Sequence, residues 1–227
     1  MKILSHPLYL APVPLYARLF AADGIVFDGD SPFTKQTFRN RTVIATENGT
    51  QALTIPIVHT GGKQPMRDIR ISEHGNWRHL HWNAIVSAYR KSPFFDYYAD
   101  DFAHFYEERD GFLMDFNMRL HAVVCELLGL ERTTAITMEK AKNDIENLRH
   151  MAEPTTLAQT EGYTSQPYYQ VFATRNGFQP NLSIEMKMSQ ASRETSSTDT
   201  RLLQLRNWCD LGCLWTSVCS VSPAWWC

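Results

Sequence analysis

Cysteine is nearly absent from most of this chain. Residues 1–207 contain a single one, Cys125, so neither a disulfide framework nor a multi-thiolate zinc site can be built there. Neither charge sign dominates: 22 Lys and Arg stand against 24 Asp and Glu, a net charge of -2. A near-neutral chain has no whole-molecule field to draw it to DNA, RNA or an anionic membrane, so none is expected as a partner. No uninterrupted apolar run approaches the roughly 20 residues of a membrane span. The first 16 residues carry one Lys and three Pro, a poor fit to a secretory leader, so a cytoplasmic location is expected. There is no P-loop, dinucleotide-binding glycine triad, nucleophile elbow or kinase signature, and no cofactor is expected.

What is present describes a globular chain: 44% hydrophobic, 12% aromatic and 20% charged residues in 227. The distribution is uneven. Four of the five Cys and four of the six Trp lie in the last 20 residues. Before them, Ser189–Arg201 has seven Ser or Thr in 13 residues and no large apolar side chain, a linker composition. The tail cysteines have gaps of three, five and seven residues, which match no paired zinc-ribbon spacing.

The N-terminal half reads as strands and the middle as helices. Ile3-Leu4 starts a strand. Pro14 suits the first turn of a helix carrying Leu15, Leu19 and Phe20, which Gly24 would end. Ile25–Phe27 is a short buried strand that delivers Asp28 and Asp30 to its C-terminal end. Residues 41–58 read as a hairpin turning at Asn48-Gly49, with Leu53, Ile55 and Ile57 on one face and Pro56 marking an edge. Ile69-Arg70-Ile71 alternates like a third strand. Trp77, Leu80, His81, Ala84, Ile85 and Ala88 then follow helical spacing up to Ser92-Pro93. Further helices are expected over 97–109 and from Leu113 to Leu127, near Glu139–Arg149, and over 168–178 with Gly177 as cap.

Three groups could carry chemistry. Lys35, Arg39, Asn40 and Arg41 put three cations and an amide in seven residues. On an extended chain Arg39 and Arg41 share a face and Asn40 the other, and two parallel guanidinium forks suit a phosphate or carboxylate. The competing reading is an exposed strand face. Asp28 and Asp30 sit where strand-end carboxylates act as bases or hydroxyl acceptors, or merely cap a turn. His79 and His81, two apart, point about 200° apart on a helix and cannot share an ion, and His74 completes no site, so no metal is expected. His81 lies on the apolar stripe as a core histidine or a neutral general base.

Taken in order, these residues resemble the WbqC-like family of bacterial proteins. Tyr9-Leu10-Ala11-Pro12 with Tyr16 is similar to its opening motif. Lys35–Arg41 resembles its Asn-Arg motif, and Leu53-Thr54-Ile55-Pro56-Ile57 its Leu-Thr-hydrophobic-Pro strand. Trp77-Arg78-His79-Leu80-His81, with Ala88-Tyr89 and Ser92-Pro93-Phe94-Phe95, resembles its Trp…His…Tyr…Pro-aromatic-Phe helix. Residues 168–172 and 177–184 resemble the last motif of the form common in Bacteroidetes.

The resemblance implies a single α/β domain over residues 1–184, with a small, mostly N-terminal sheet and C-terminal helices. It implies surface-polysaccharide (O-antigen or capsule) biosynthesis acting on a phosphate- or nucleotide-linked sugar, or non-catalytic binding of a glycan intermediate. His81 is expected as base, with Asp28 or Asp30 orienting a hydroxyl or the imidazole, and Lys35, Arg39, Asn40, Arg41 and Tyr89 as substrate contacts. The family pattern stops near Ile184, where the composition changes. The tail, 185–227, is expected to be unpacked, or out-of-frame translation.

Overall fold

In the computed structural model, residues 1–58, 61–130, 145–154, 170–179 and 181–183 are described in full, and 133–137 as backbone. Strand β1 (Lys2–Ser5) leads through helix α1 (Val13–Ala21) into β2 (Gly24–Asp28). Pro14 lies in the first turn of α1, as its fixed φ and missing N–H predict. Gly24 does not end this helix: α1 stops at Ala21, and Gly24 pairs with Lys2 as the first residue of β2.

β3 (Arg41–Thr46) and β4 (Gly49–Thr54) form an antiparallel hairpin. It turns one residue earlier than expected. Thr46 pairs with Gly49, so Glu47 and Asn48 are the central residues. The positive φ, 119°, falls on Gly49 just after them, a conformation glycine adopts without a Cβ clash. Ile69–Ile71 is not a strand but two isolated bridges, Ile57 to Ile71 and Arg70 to Phe112.

Helices α2 (Trp77–Tyr89), α3 (Phe95–Glu107) and α4 (Leu113–Leu128) follow. Two further strands come after them: β5 (Thr133–Thr137) and β6 (Ile145–Asn147). The helix expected near Glu139–Arg149 is therefore replaced, over its described part, by β6 and a 3-10 turn at Arg149–Ala152. Parallel pairing of β6 with β1 overrides local helix propensity. Of the helix expected over 168–178, the structure describes one turn, Ala173–Asn176.

The sheet is wholly parallel, ordered β5-β2-β1-β6. Its central strands are apolar on both faces: Ile3, Leu4, Ile25, Val26 and Phe27 are all buried, as a covered parallel sheet requires. The core continues into the helices through Tyr9, Tyr16, Tyr89, Phe102, Phe105 and Phe116. Two polar stripes inside it were unexpected. On α2, Leu80 is 59% exposed while Arg78 is buried. The Arg78 guanidinium lies over Trp77 at 4.5 Å, donates to the Phe105 carbonyl and pairs with Glu73. On α4, Asn117 and His121 are buried beside Phe116 and Leu120. No helix among the described residues is long and apolar enough to cross a membrane.

Candidate functional site

The order of the sheet locates the site. From β1 the chain goes through α1 to β2 on one side, while β6 joins β1 on the other. Open parallel sheets bind ligands beyond the carboxyl ends of the strands, at such a reversal. Here β1 ends at Ser5 and is followed by His6; β2 ends at Asp28; β6 ends at Asn147, and Arg149 follows.

Three loops are stitched together above this edge. Tyr9 N–H donates to the Phe38 carbonyl (2.8 Å), Phe38 N–H to the Ala152 carbonyl (2.7 Å) and Leu148 N–H to the Leu4 carbonyl (2.8 Å). Asn117 completes the tie from below: its fully buried amide donates to the carbonyls of Pro7 (3.1 Å) and Arg39 (2.7 Å). Leu10, in the first loop, has φ 42°, a left-handed conformation that a branched side chain adopts only when its surroundings enforce it.

Asp28 is at the centre. One carboxylate oxygen accepts from the Asp30 and Ser31 amides; the other accepts from the Ser31 hydroxyl (2.6 Å) and Arg149 Nη1 (2.7 Å). Burial alone would raise its pKa. The donors from Ser31 and Arg149 outweigh that and take it down to about 2. Asp28 is therefore a turn cap and an arginine anchor at once. Asp30 points elsewhere, to Arg67 at 2.5 Å.

Arg39 is buried, 6% exposed, with Nη1 on the Pro32 carbonyl at 2.7 Å. Burial lowers its pKa; the charges of Asp28 and Glu153 raise it, and that of Arg149 lowers it. His6 is 3% exposed, its Nδ1 3.5 Å from the Asp28 carbonyl oxygen. Burial and the Arg39 charge push its pKa down to about 4, against the pull of Asp28. The edge thus gathers two guanidinium groups, one carboxylate and a neutral imidazole.

The Lys35–Arg41 run is not extended as expected. Residues 35–40 are turns, Gln36 has φ 60°, and only Arg41 enters a strand. Arg39 and Arg41 therefore do not project from one strand face. Lys35 is exposed. Asn40 donates to the Ile55 carbonyl at 3.1 Å. Three successive residues nevertheless leave a buried polar atom without a partner among the described residues: Arg39 Nε, Asn40 Oδ1 and Arg41 Nε. Such orphans are uncommon in native proteins and call for an explanation such as ordered water or a bound group; others lie elsewhere in the fold, at Arg78 Nε and Asn117 Oδ1 among them.

His81 and Tyr89 lie inside the core. His81 is 6% exposed, with Nδ1 3.0 Å from Tyr9 Oη, which is itself 2.9 Å from Tyr106 Oη. Its ring stacks on Tyr9 and meets Trp77 edge-on. Burial takes its pKa to about 4, a hydrogen bond with the Thr54 backbone opposing. Tyr89 Oη accepts the Ala45 amide at 3.1 Å and so fastens α2 to β3. His79 and His74 are exposed.

Of the residues that sequence reasoning names, Asp28 and Arg39 lie together at this edge; His6, Arg149 and Asn117, which the structure places with them, are not among those it names. His6 follows a strand directly, a signal that was present. Arg149 lay in an expected helix and Asn117 on an expected apolar stripe, so neither stood out.

The chain belongs to the WbqC-like protein family, whose model matches residues 7–197. An uncharacterised protein of Mycobacterium tuberculosis, Rv1507c, is 32% identical over 152 residues, covering 65% of this chain and 64% of the relative's length. No solved structure matches the chain.

Proposed function

We propose that this chain is an enzyme of bacterial surface-polysaccharide biosynthesis acting on a phosphate- or nucleotide-linked sugar held at the carboxyl edge of the sheet. The observation that carries the reading is the convergence of Arg39, Arg149 and His6 on Asp28 at the reversal of strand order. The phosphate follows from the arginines, whose forks grip oxyanions. The sugar follows from the family resemblance. Asp28 orients Arg149, while Asn40 and Arg41 extend the set of polar atoms along the chain. His81 enters as a neutral imidazole linked to Tyr9 and Tyr106, a hydrogen-bonded relay rather than a group open to solvent.

One observation favours the non-catalytic reading. Asp28 at about 2 and His6 at about 4 both lie far below neutrality, whereas an efficient general base titrates near the working pH. A thermal-shift panel of nucleotide sugars and sugar phosphates tests the site. Stabilisation by at least one compound, abolished in Arg149→Ala, is expected. No stabilisation of the folded wild type by any compound contradicts the proposal. Following that compound by phosphorus NMR separates the two readings: product formation supports the enzyme, and binding without turnover supports the binding protein.

A further inference from the structure

A cavity of about 450 Å³ lies between the hairpin tip, one side of α2 and residues 171–172. That volume falls in the range of small-ligand sites, roughly 300–1,000 Å³. None of His6, Asp28, Arg39 or Arg149 lines it. Its hairpin wall begins at Thr46, five strand residues and about 17 Å beyond Arg41.

The wall opposite is tied down. Asn176 Nδ2 donates to the carbonyls of Thr46 (2.9 Å) and Glu47 (3.3 Å), and Arg175 pairs with the Glu47 carboxylate. The segment is closed on itself by Gln170, a buried residue. Its amide donates to the Gln179 carbonyl at 2.7 Å and accepts the Gln179 N–H at 2.9 Å. The small side chains of Ala84 and Ala88 leave the space between α2 and the hairpin open.

The lining is chemically distinctive. Asn48, Gln51 and Asn83 contribute amides and Ser87 a hydroxyl, and each of these can both donate and accept. Phe172, packed against the core, contributes an aromatic side chain. Of the charged lining groups, Glu47 is already paired with Arg175, leaving Lys91. An oxyanion would call for several cations, and a lipid tail for a continuous apolar wall. A pyranose has a rim of hydroxyls, each donor and acceptor, and a C–H face whose positive edge suits the negative face of an aromatic ring.

From this lining we infer that the cavity is a binding site for a neutral carbohydrate, separate from the phosphate-binding edge. It relies on the proposed function only for the choice of probes. Two occupied sites would let the chain hold an activated sugar and a glycan residue together.

Saturation-transfer NMR with the methyl glycosides of glucose, galactose, mannose and N-acetylglucosamine tests it. Transfer to the ring protons of at least one glycoside is expected. Gln51→Ala and Phe172→Ala should weaken that binding about tenfold, the loss of one good contact, while Arg149→Ala leaves it unchanged. Gln51 is exposed, so its variant keeps the test meaningful if Phe172→Ala does not fold. No transfer to any of the glycosides, or transfer unaffected by Gln51→Ala, overturns the inference. Transfer lost only in Arg149→Ala also overturns it, by placing the sugar at the sheet edge, and leaves the phosphate reading standing. That reading fails separately, if nucleotide sugars do not stabilise the wild type.

Discussion

Asn117 makes no contact with the Asp28 carboxylate, yet it sets the position of Arg39. One amide group holds the carbonyls of Pro7 and Arg39 from the buried face of α4. Asn117→Ala would orphan two buried acceptors, and an unmet buried group costs about 1–3 kcal/mol. Urea unfolding of this variant should show a loss of about 2–6 kcal/mol; a loss under 1 kcal/mol would show that the loops hold themselves. Arg149→Ala removes a principal donor to Asp28. The Asp28 pKa should then rise from about 2 towards its ordinary 3.8, read by carbon NMR titration. An unchanged value would mean that Ser31 alone keeps it low. At this scale the sequence made Asp28 and Arg39 visible, because acid and base types are legible by position along the chain. It hid Asn117 and Arg78, because a polar residue on an apolar stripe looks like a break in the pattern until its buried partners are known.

At the scale of elements, the helices were legible and the late strands were not. Apolar spacing placed α2, α3 and α4 to within a few residues, since each buries one stripe against a common core. β6 is three residues long and pairs with a strand about 140 positions earlier, and no local pattern carries such a pairing. The hairpin slipped by one residue for a related reason. An Asn-Gly pair announces a turn, but the cross-strand register of Thr42 with Leu53 decides which residues occupy its corners. The end of α4 is a local feature that the sequence did signal. Gly129 has φ 68°, its N–H donates to the Glu126 carbonyl, and Leu130 N–H donates to the Cys125 carbonyl. Gly129→Ala should lower stability by about 1 kcal/mol, the cost of a Cβ in the left-handed region. Thermal melts will show this, and an unchanged Tm would mean that the helix end unwinds freely.

For the whole molecule, buried histidines set the response to acid. His6, His81 and His121 each have the pKa lowered to about 4 from 6.5, mainly by burial. Their depressed values mean that the unfolded chain binds protons the folded chain refuses. The stability they contribute is complete above pH 6.5 and is lost as pH falls through about 4. Asp28 adds a later loss, between 3.8 and about 2. Unfolding near pH 5 should take up about three protons, so stability should fall by about 4 kcal/mol per pH unit there. Urea titrations at several pH values will measure the slope, and a flat profile from pH 7 to pH 4.5 would refute it. The tail carries a separate proposal. Residues 185–227, with their clustered Trp and Cys, lie outside the described residues apart from the composition they show, and the family match runs through residue 197. We propose that the part beyond the family match, residues 198–227, arose by out-of-frame translation. Resequencing decides it: if the reading frame is unbroken through this stretch, the proposal fails.

The proposed function requires an oxyanion bound beside Arg39, Arg149 and His6. Nitrogen NMR of the imidazole rings tests it most directly, with whichever nucleotide sugar stabilises the protein. A bound phosphate places negative charge near His6, so its pKa should climb above about 4 on saturation while that of His121 stays in place. If the ligand binds and the His6 titration does not move, the anion lies elsewhere and the account of the site is wrong.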